Sequence, residues 1–213
     1  MPDLARRLAR ETVQPMDQHS QTSASMLQGM RNRDPQQWER FVEVYSPLAY
    51  EWCRRAGVGS SDSADVVQAV FMAVALSIED FRTDESFHRW LWGITRHKTL
   101  DHFRKLVKQP TAAGGSTAKT MLAQVPDGLP EYWDEASQRS DTNMVYNRAL
   151  ELLKTDFQPK TWQAFWKTTV EALEAADVAD NLSMTVGAVY NARYKVLRRL
   201  RDEFQGMFET EVV

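Results

Sequence analysis

Apolar side chains recur at spacings of three and four along most of this chain, as in helices that bury one face. Trp38, Phe41, Val42, Tyr45, Leu48, Ala49 and Trp52 mark the first such face, opened by Asp34-Pro35, a capping residue followed by a proline in the first turn. Pro47 lies inside that run and predicts a kink or a division into two helices. Gly57 and Gly59 end it. Ser61 or Asp62 is the expected cap of a second helix, whose inner face is Val67, Val70, Phe71, Val74, Ile78 and Phe81. Its other side is mixed, with Met72, Ala75 and Leu76 among Asp65, Gln68 and Glu79. Apolar residues on both sides predict a helix either sandwiched in its own bundle or docked on a partner.

A third helix comes after a polar loop between Phe81 and Phe87, and it has an unusual course. Phe87, Trp90, Leu91 and Ile94 form its apolar stripe, but the same face continues through His97, Lys98 and Asp101, which are polar. The pattern predicts a helix that starts in the core and emerges from it. Trp92, off the stripe, together with Arg89, Arg96, Lys98, Arg104, Lys105 and Lys108, predicts a surface that stacks on bases and neutralises phosphates.

Periodicity then stops. Thr111-Ala-Ala-Gly-Gly-Ser-Thr117 has linker composition, and Pro126, Gly128 and Pro130 break the residues after it, although Tyr132 and Trp133 suggest that part of the segment packs. Val145, Ala149, Leu152 and Leu153 mark a further helix, and Gln158-Pro159 opens one carrying Trp162, Phe165, Trp166, Thr169, Val170 and Leu173. Glu174 to Leu182, the short turn Ser183-Met184, Thr185 as cap and a long helix from Val186 to about Phe204 complete the pattern. Val178, Ala179 and Leu182 are expected to face Val186, Val189, Val196 and Leu200 across the turn, which is helix-turn-helix spacing.

Charge sharpens this picture. The chain is slightly acidic, with 26 Lys and Arg against 29 Asp and Glu, which argues against coating DNA by net charge. Yet Arg82 to Lys108 holds seven basic residues and three acids, and Tyr190 to Arg201 holds five and none. Two basic faces on an acidic chain predict a protein that needs a second partner before it holds DNA well. The single cysteine, Cys53, excludes an intramolecular disulfide, reads as a buried structural thiol and fits a reducing cytoplasm. His19, His88, His97 and His102 lack metal-ligand spacing, so no metal and no cofactor is expected. No run approaches the ~18 apolar residues of a membrane span, and the first residues have no signal-peptide core. No Gly-rich phosphate loop, triad or acidic pair in an apolar setting appears, so no enzymatic chemistry is expected.

Several stretches resemble one family. Phe87-x-x-Trp90-Leu91-x-x-Ile94, followed by Asp101 and Arg104, is similar to the promoter-melting segment of bacterial RNA polymerase sigma factors of the extracytoplasmic-function (ECF) group. Asp62 to Phe71 is similar to that family's core-polymerase-binding helix, and the C-terminal third to its helix-turn-helix. The resemblance implies docking on core polymerase through Asp65, Gln68, Met72, Leu76 and Glu79. It implies capture of flipped minus-ten bases by Phe81, Arg82, Arg89, Trp90, Arg96, His97 and Lys98, where His97 replaces a common Asn. In the helix-turn-helix reading, Ala188, Tyr190, Asn191, Tyr194 and Lys195 enter the major groove at the minus-thirty-five element, with Thr185, Lys167 and Arg198 on the backbone. Two departures stand out: Ser183 occupies a position where a turn glycine is common, and Glu171 to Ala176 replaces the usual Gly-Leu-Ser, which predicts lengthened helices there.

The expected fold is all-α: a disordered tail over 1–24, a helical domain over 25–109, a flexible linker over 110–140, a helix-turn-helix domain over 141–205 and a tail over 206–213. A linker of that size averages about 30 Å and could span the ~70 Å of two DNA turns. The expected function is a sigma factor with core polymerase and promoter DNA as partners, and an anti-sigma factor docking on the two-sided helix at 62–81. Two alternatives are a stand-alone helix-turn-helix regulator with a dimerising N-terminal bundle, and a helical protein-interaction adaptor without DNA function.

Overall fold

The described residues, 25–108 and 135–208 of this computed structural model, form helices and turns only. Expectations for 1–24, for the linker up to residue 134 and for 209–213 lie outside them. In chain order the helices are α1 (Met26–Arg31), α2 (Pro35–Arg55), α3 (Ser60–Ser77), α4 (Phe87–Lys108), α5 (Glu135–Lys154), α6 (Pro159–Phe165) running into a π-helical turn (Trp166–Val170), α7 (Ala175–Leu182) and α8 (Val186–Glu203). The all-α expectation holds. The described residues fall into two compact units: one runs from Phe41 through α4, and the other combines residues up to Arg40 with those from Arg139 onward.

In the first unit α2 runs unbroken past Pro47, so of the kink or division expected there the division does not occur. A proline inside a helix loses one hydrogen bond and strains the preceding turn. Burial of Tyr45, Leu48, Ala49 and Trp52 around it outweighs that cost. Asp34 opens the helix as predicted, its carboxylate accepting from the Gln36 amide at 2.9 Å. Gly57 closes it at φ +90°, a conformation open to glycine at little cost. The next helix starts two or three residues earlier than expected, at Ser60, with Gly59 as the cap in place of Ser61 or Asp62; Asp62 instead lies in the first turn, where its charge favours the helix dipole.

The inner side of α4 is only partly the one the apolar spacing suggested. Phe87 and Leu91 are buried as expected and Trp90 and Ile94 only half so, while His88, Trp92, Thr95, Thr99 and Phe103 are the other buried positions, so the helix stays in the core to Phe103 instead of emerging after Ile94. Threonine accounts for the difference. The Thr95 hydroxyl donates to the Leu91 carbonyl at 2.9 Å, and the Thr99 hydroxyl lies 4.0 Å from the Cys53 sulfur. A hydroxyl satisfied locally can be buried at small cost. Trp92 packs edge-on against Trp52 at 5.4 Å, which removes it from any base-stacking surface. Phe41, Tyr45, Phe71, Phe81 and Phe87 form the other half of this core, with ring centroids between 5.1 and 5.9 Å.

The second unit builds on α6, α7 and α8. Ala164, Ala175, Val178, Ala179, Val189 and Ala192 form its tight small-residue core, with Leu182 and Met184 against it. A buried carboxylate ties the C-terminal end of α8 to the start of α2. Glu203 is 0% exposed and accepts from Arg40 at 2.6 Å and from Arg199, while Asp156 lies 3.3 Å from Arg199 and 3.8 Å from Arg40. Residues past α8 continue the packing, with Phe204 and Phe208 stacked at 4.7 Å and Phe208 against Tyr146 at 4.2 Å.

Candidate nucleic-acid and partner interfaces

Asp65, Gln68, Met72, Leu76 and Glu79 succeed one another at three or four residues, and all five are exposed. The first four line the face of α3 opposite Val66, Val67, Val70 and Val74, which are buried, and Glu79 follows in the turn after the helix. Met72 is 64% and Leu76 86% exposed, so no part of the described chain covers the apolar centre of this face. Two large apolar side chains flanked by acids present a surface suited to a basic, partly apolar protein.

The basic face of the same unit is less uniform. Arg89 and His97 are exposed, with Trp90, Arg96 and Lys98 half-buried beside them. Arg89, Arg96 and His97 share one side of α4, seven and eight residues apart. Phe81 does not join them: it is 2% exposed and packs under Trp90 at 5.1 Å and Phe87 at 5.2 Å. It supports the Trp90 ring from below and offers no face of its own. Arg82 forms a forked pair with Asp84, at 3.1 and 2.8 Å, which holds the Asp84 carboxyl below the usual carboxylate range and pushes the guanidinium up. Both partners are well exposed, so a phosphate can replace the aspartate readily. Asp101, read in the sequence as a break in the apolar stripe and, with Arg104, as part of the promoter-melting resemblance, sits 3.3 Å from His97 and 3.1 Å from Arg104 and orients both.

In the second unit α7, a three-residue turn and α8 succeed one another as the spacing predicted. Ser183 takes the left-handed conformation at φ 48°, and Lys160 donates to its carbonyl at 3.1 Å. Thr185 caps α8, its hydroxyl accepting from the Ala188 amide at 3.1 Å. Helix does not run on through residues 171–174. The π-helical turn ends at Val170 and Ala172 turns the chain at φ 56°, so α7 starts at Ala175. Thr185, Tyr190, Asn191 and Lys195 are exposed, and Ala188, Tyr194, Lys167 and Arg198 half-buried, with Arg198 3.6 Å from Asp202. Val186 departs from expectation. It is 41% exposed, and Val189 and Ala192 take the inward places instead.

A family model described as Sigma-70 region 2 matches residues 41–109. The ECF RNA polymerase sigma factor SigW of Bacillus subtilis (strain 168) is 24% identical over 187 residues, covering 83% of this chain and 95% of that protein. The ECF RNA polymerase sigma factor SigD of Mycobacterium tuberculosis (strain H37Rv) is 28% identical over 174 residues, covering 76% of this chain and 74% of that one. Among solved structures, CnrH in complex with the cytosolic domain of CnrY is 17% identical, covers 94% of this chain and 98% of its own, and has a TM-score of 0.32. The region 2 match lies on α2 to α4, so residues 41–109 are similar to region 2 of the sigma-70 family, and both relatives, aligned over three quarters of the chain or more, are ECF RNA polymerase sigma factors.

Proposed function

We propose that this protein directs a bacterial RNA polymerase core to specific promoters and assists their melting. The observation that carries the reading is that the region 2 match falls on a unit with two distinct exposed faces: an acidic and apolar face on α3 and a basic, Trp90-bearing face on α4. The first suits core polymerase, through Asp65, Gln68, Met72, Leu76 and Glu79. The second suits the minus-ten strand, where Trp90 stacks on a base while Arg82, Arg89, Arg96 and Lys98 neutralise phosphates and His97 hydrogen-bonds a base edge. Phe81 acts as the support beneath Trp90. Thr185, Ala188, Tyr190, Asn191, Tyr194 and Lys195 read the minus-thirty-five duplex, with Lys167 and Arg198 on its backbone. Binding energy performs the melting and the polymerase performs the chemistry, in the cytoplasm; the protein is not itself an enzyme. The exposed Met72 and Leu76 also suit an anti-sigma factor competing for the same face.

Transcription from a genomic fragment library by the full chain with a matched core polymerase tests this. Specific transcripts that vanish on changing Trp90, His97 and Lys98 to Ala are expected. No association with core, beside sequence-specific duplex binding by the protein alone, would overturn the reading in favour of a stand-alone regulator.

A further inference from the structure

The first two turns of α8 hold three residues, Val186, Gly187 and Tyr190, that the fold does not bury. Val186 is 41% and Tyr190 55% exposed, and four residues apart they stand one above the other on the helix. Between them lies Gly187, exposed and at an ordinary helical position, where an added Cβ would meet nothing within 4 Å. Glycine in a helix is less favourable than alanine, and the packing of the described residues gives nothing in return. Glycine is favoured where another molecule's backbone approaches closely. The surrounding charge says what kind of molecule. No acid occurs from Val186 to Arg201, while Arg193, Lys195, Arg198 and Arg201 lie on the same helix, Arg199 being engaged with the Glu203 carboxylate. The partner is therefore polyanionic and carries an apolar group within reach of a valine. On the base edges of a DNA major groove that group is the C5-methyl of thymine.

We propose that Val186, with Tyr190 beside it, is a specificity-determining residue that packs on a thymine methyl in the upstream promoter element, and that Gly187 lets the DNA come close enough for the contact. This rests on the reading of α7 and α8 as the duplex-binding pair. Valine is suited to the task because its branched Cβ leaves one dominant rotamer in a helix, so the contact is positioned before binding. The Thr185 cap fixes the start of the helix that carries it.

The test uses holoenzyme of the full chain on promoters it transcribes, with each upstream thymine replaced singly by deoxyuridine, which removes the methyl and leaves every hydrogen-bonding group. One position is expected at which deoxyuridine weakens promoter binding by about 3- to 5-fold, the value of one buried methyl. Val186→Ala should lower binding to the thymine promoter by a similar factor and become indifferent to deoxyuridine there. Gly187→Ala should raise the melting temperature while weakening binding, a combination that a purely structural glycine would not give. Active holoenzyme with no deoxyuridine-sensitive position, or a Val186→Ala variant that keeps its sensitivity, overturns the proposal and leaves the sigma-factor reading intact. Should Val186→Ala instead weaken assembly with core, this face docks protein and the proposal fails. Absence of any transcription by a folded protein overturns both.

Discussion

Ala172 and Ser183 each hold a backbone conformation, at φ 56° and 48°, that costs a residue with a Cβ about 1 kcal/mol. Both flank α7. Ala172→Gly and Ser183→Gly should therefore each stabilise the protein by about 0.5 to 1 kcal/mol, read as a higher midpoint in urea unfolding. A lower midpoint would mean that the Cβ makes a contact worth more than the strain. Cys53 illustrates the other residue-level effect. Burial pushes its thiol up to about 11, against a slight opposing pull from the Thr99 hydroxyl. The folded state then keeps its proton between about pH 9 and 11 while the unfolded state loses it, so this group's contribution to stability falls as pH rises through that window. The native protein should resist a thiol-alkylating reagent at pH 8 and react fully once unfolded in guanidinium. Fast labelling of the native protein would contradict the burial.

Among the elements, α3 separates stability from docking most cleanly. Its inner valines hold the unit together, while Met72 and Leu76 contribute little to folding because both remain largely in water. Met72→Asp with Leu76→Asp should leave the melting temperature within a degree or two and weaken association with core polymerase by at least 10-fold, as measured by co-elution or fluorescence anisotropy. Unchanged association would remove α3 from the polymerase interface. For α4 the lesson concerns threonine. An apolar-only reading tracks Phe87, Trp90, Leu91 and Ile94 and loses the core at His97, whereas Thr95 and Thr99 continue it to Phe103 because their hydroxyls find partners within the protein.

At the scale of the whole molecule, the buried carboxylate of Glu203 joins residues 163 positions apart in sequence. Removing Arg40 leaves that carboxylate with Arg199 as its charged partner, and Arg40→Ala should cost about 3 kcal/mol, the lower end for breaking a buried pair. An unfolding midpoint equal to the wild type would show that water replaces the guanidinium freely. Such a pair cannot be read from sequence, since neither residue's neighbours in the chain mark it as anything but a surface charge. The features legible in the sequence were local ones: the all-helical class, the start of α2 at Asp34-Pro35, the mixed face of α3, and the helix, turn and helix of residues 175–203. Spacing, caps and breakers act within one or two turns, so they can be read without the fold. Packing in three dimensions settled the rest. It drew Trp92 inward because a large ring gains most from burial, kept α2 whole across Pro47 because packing outweighed one lost hydrogen bond, and left Val186 in solvent because Val189 and Ala192 already filled the space against α7.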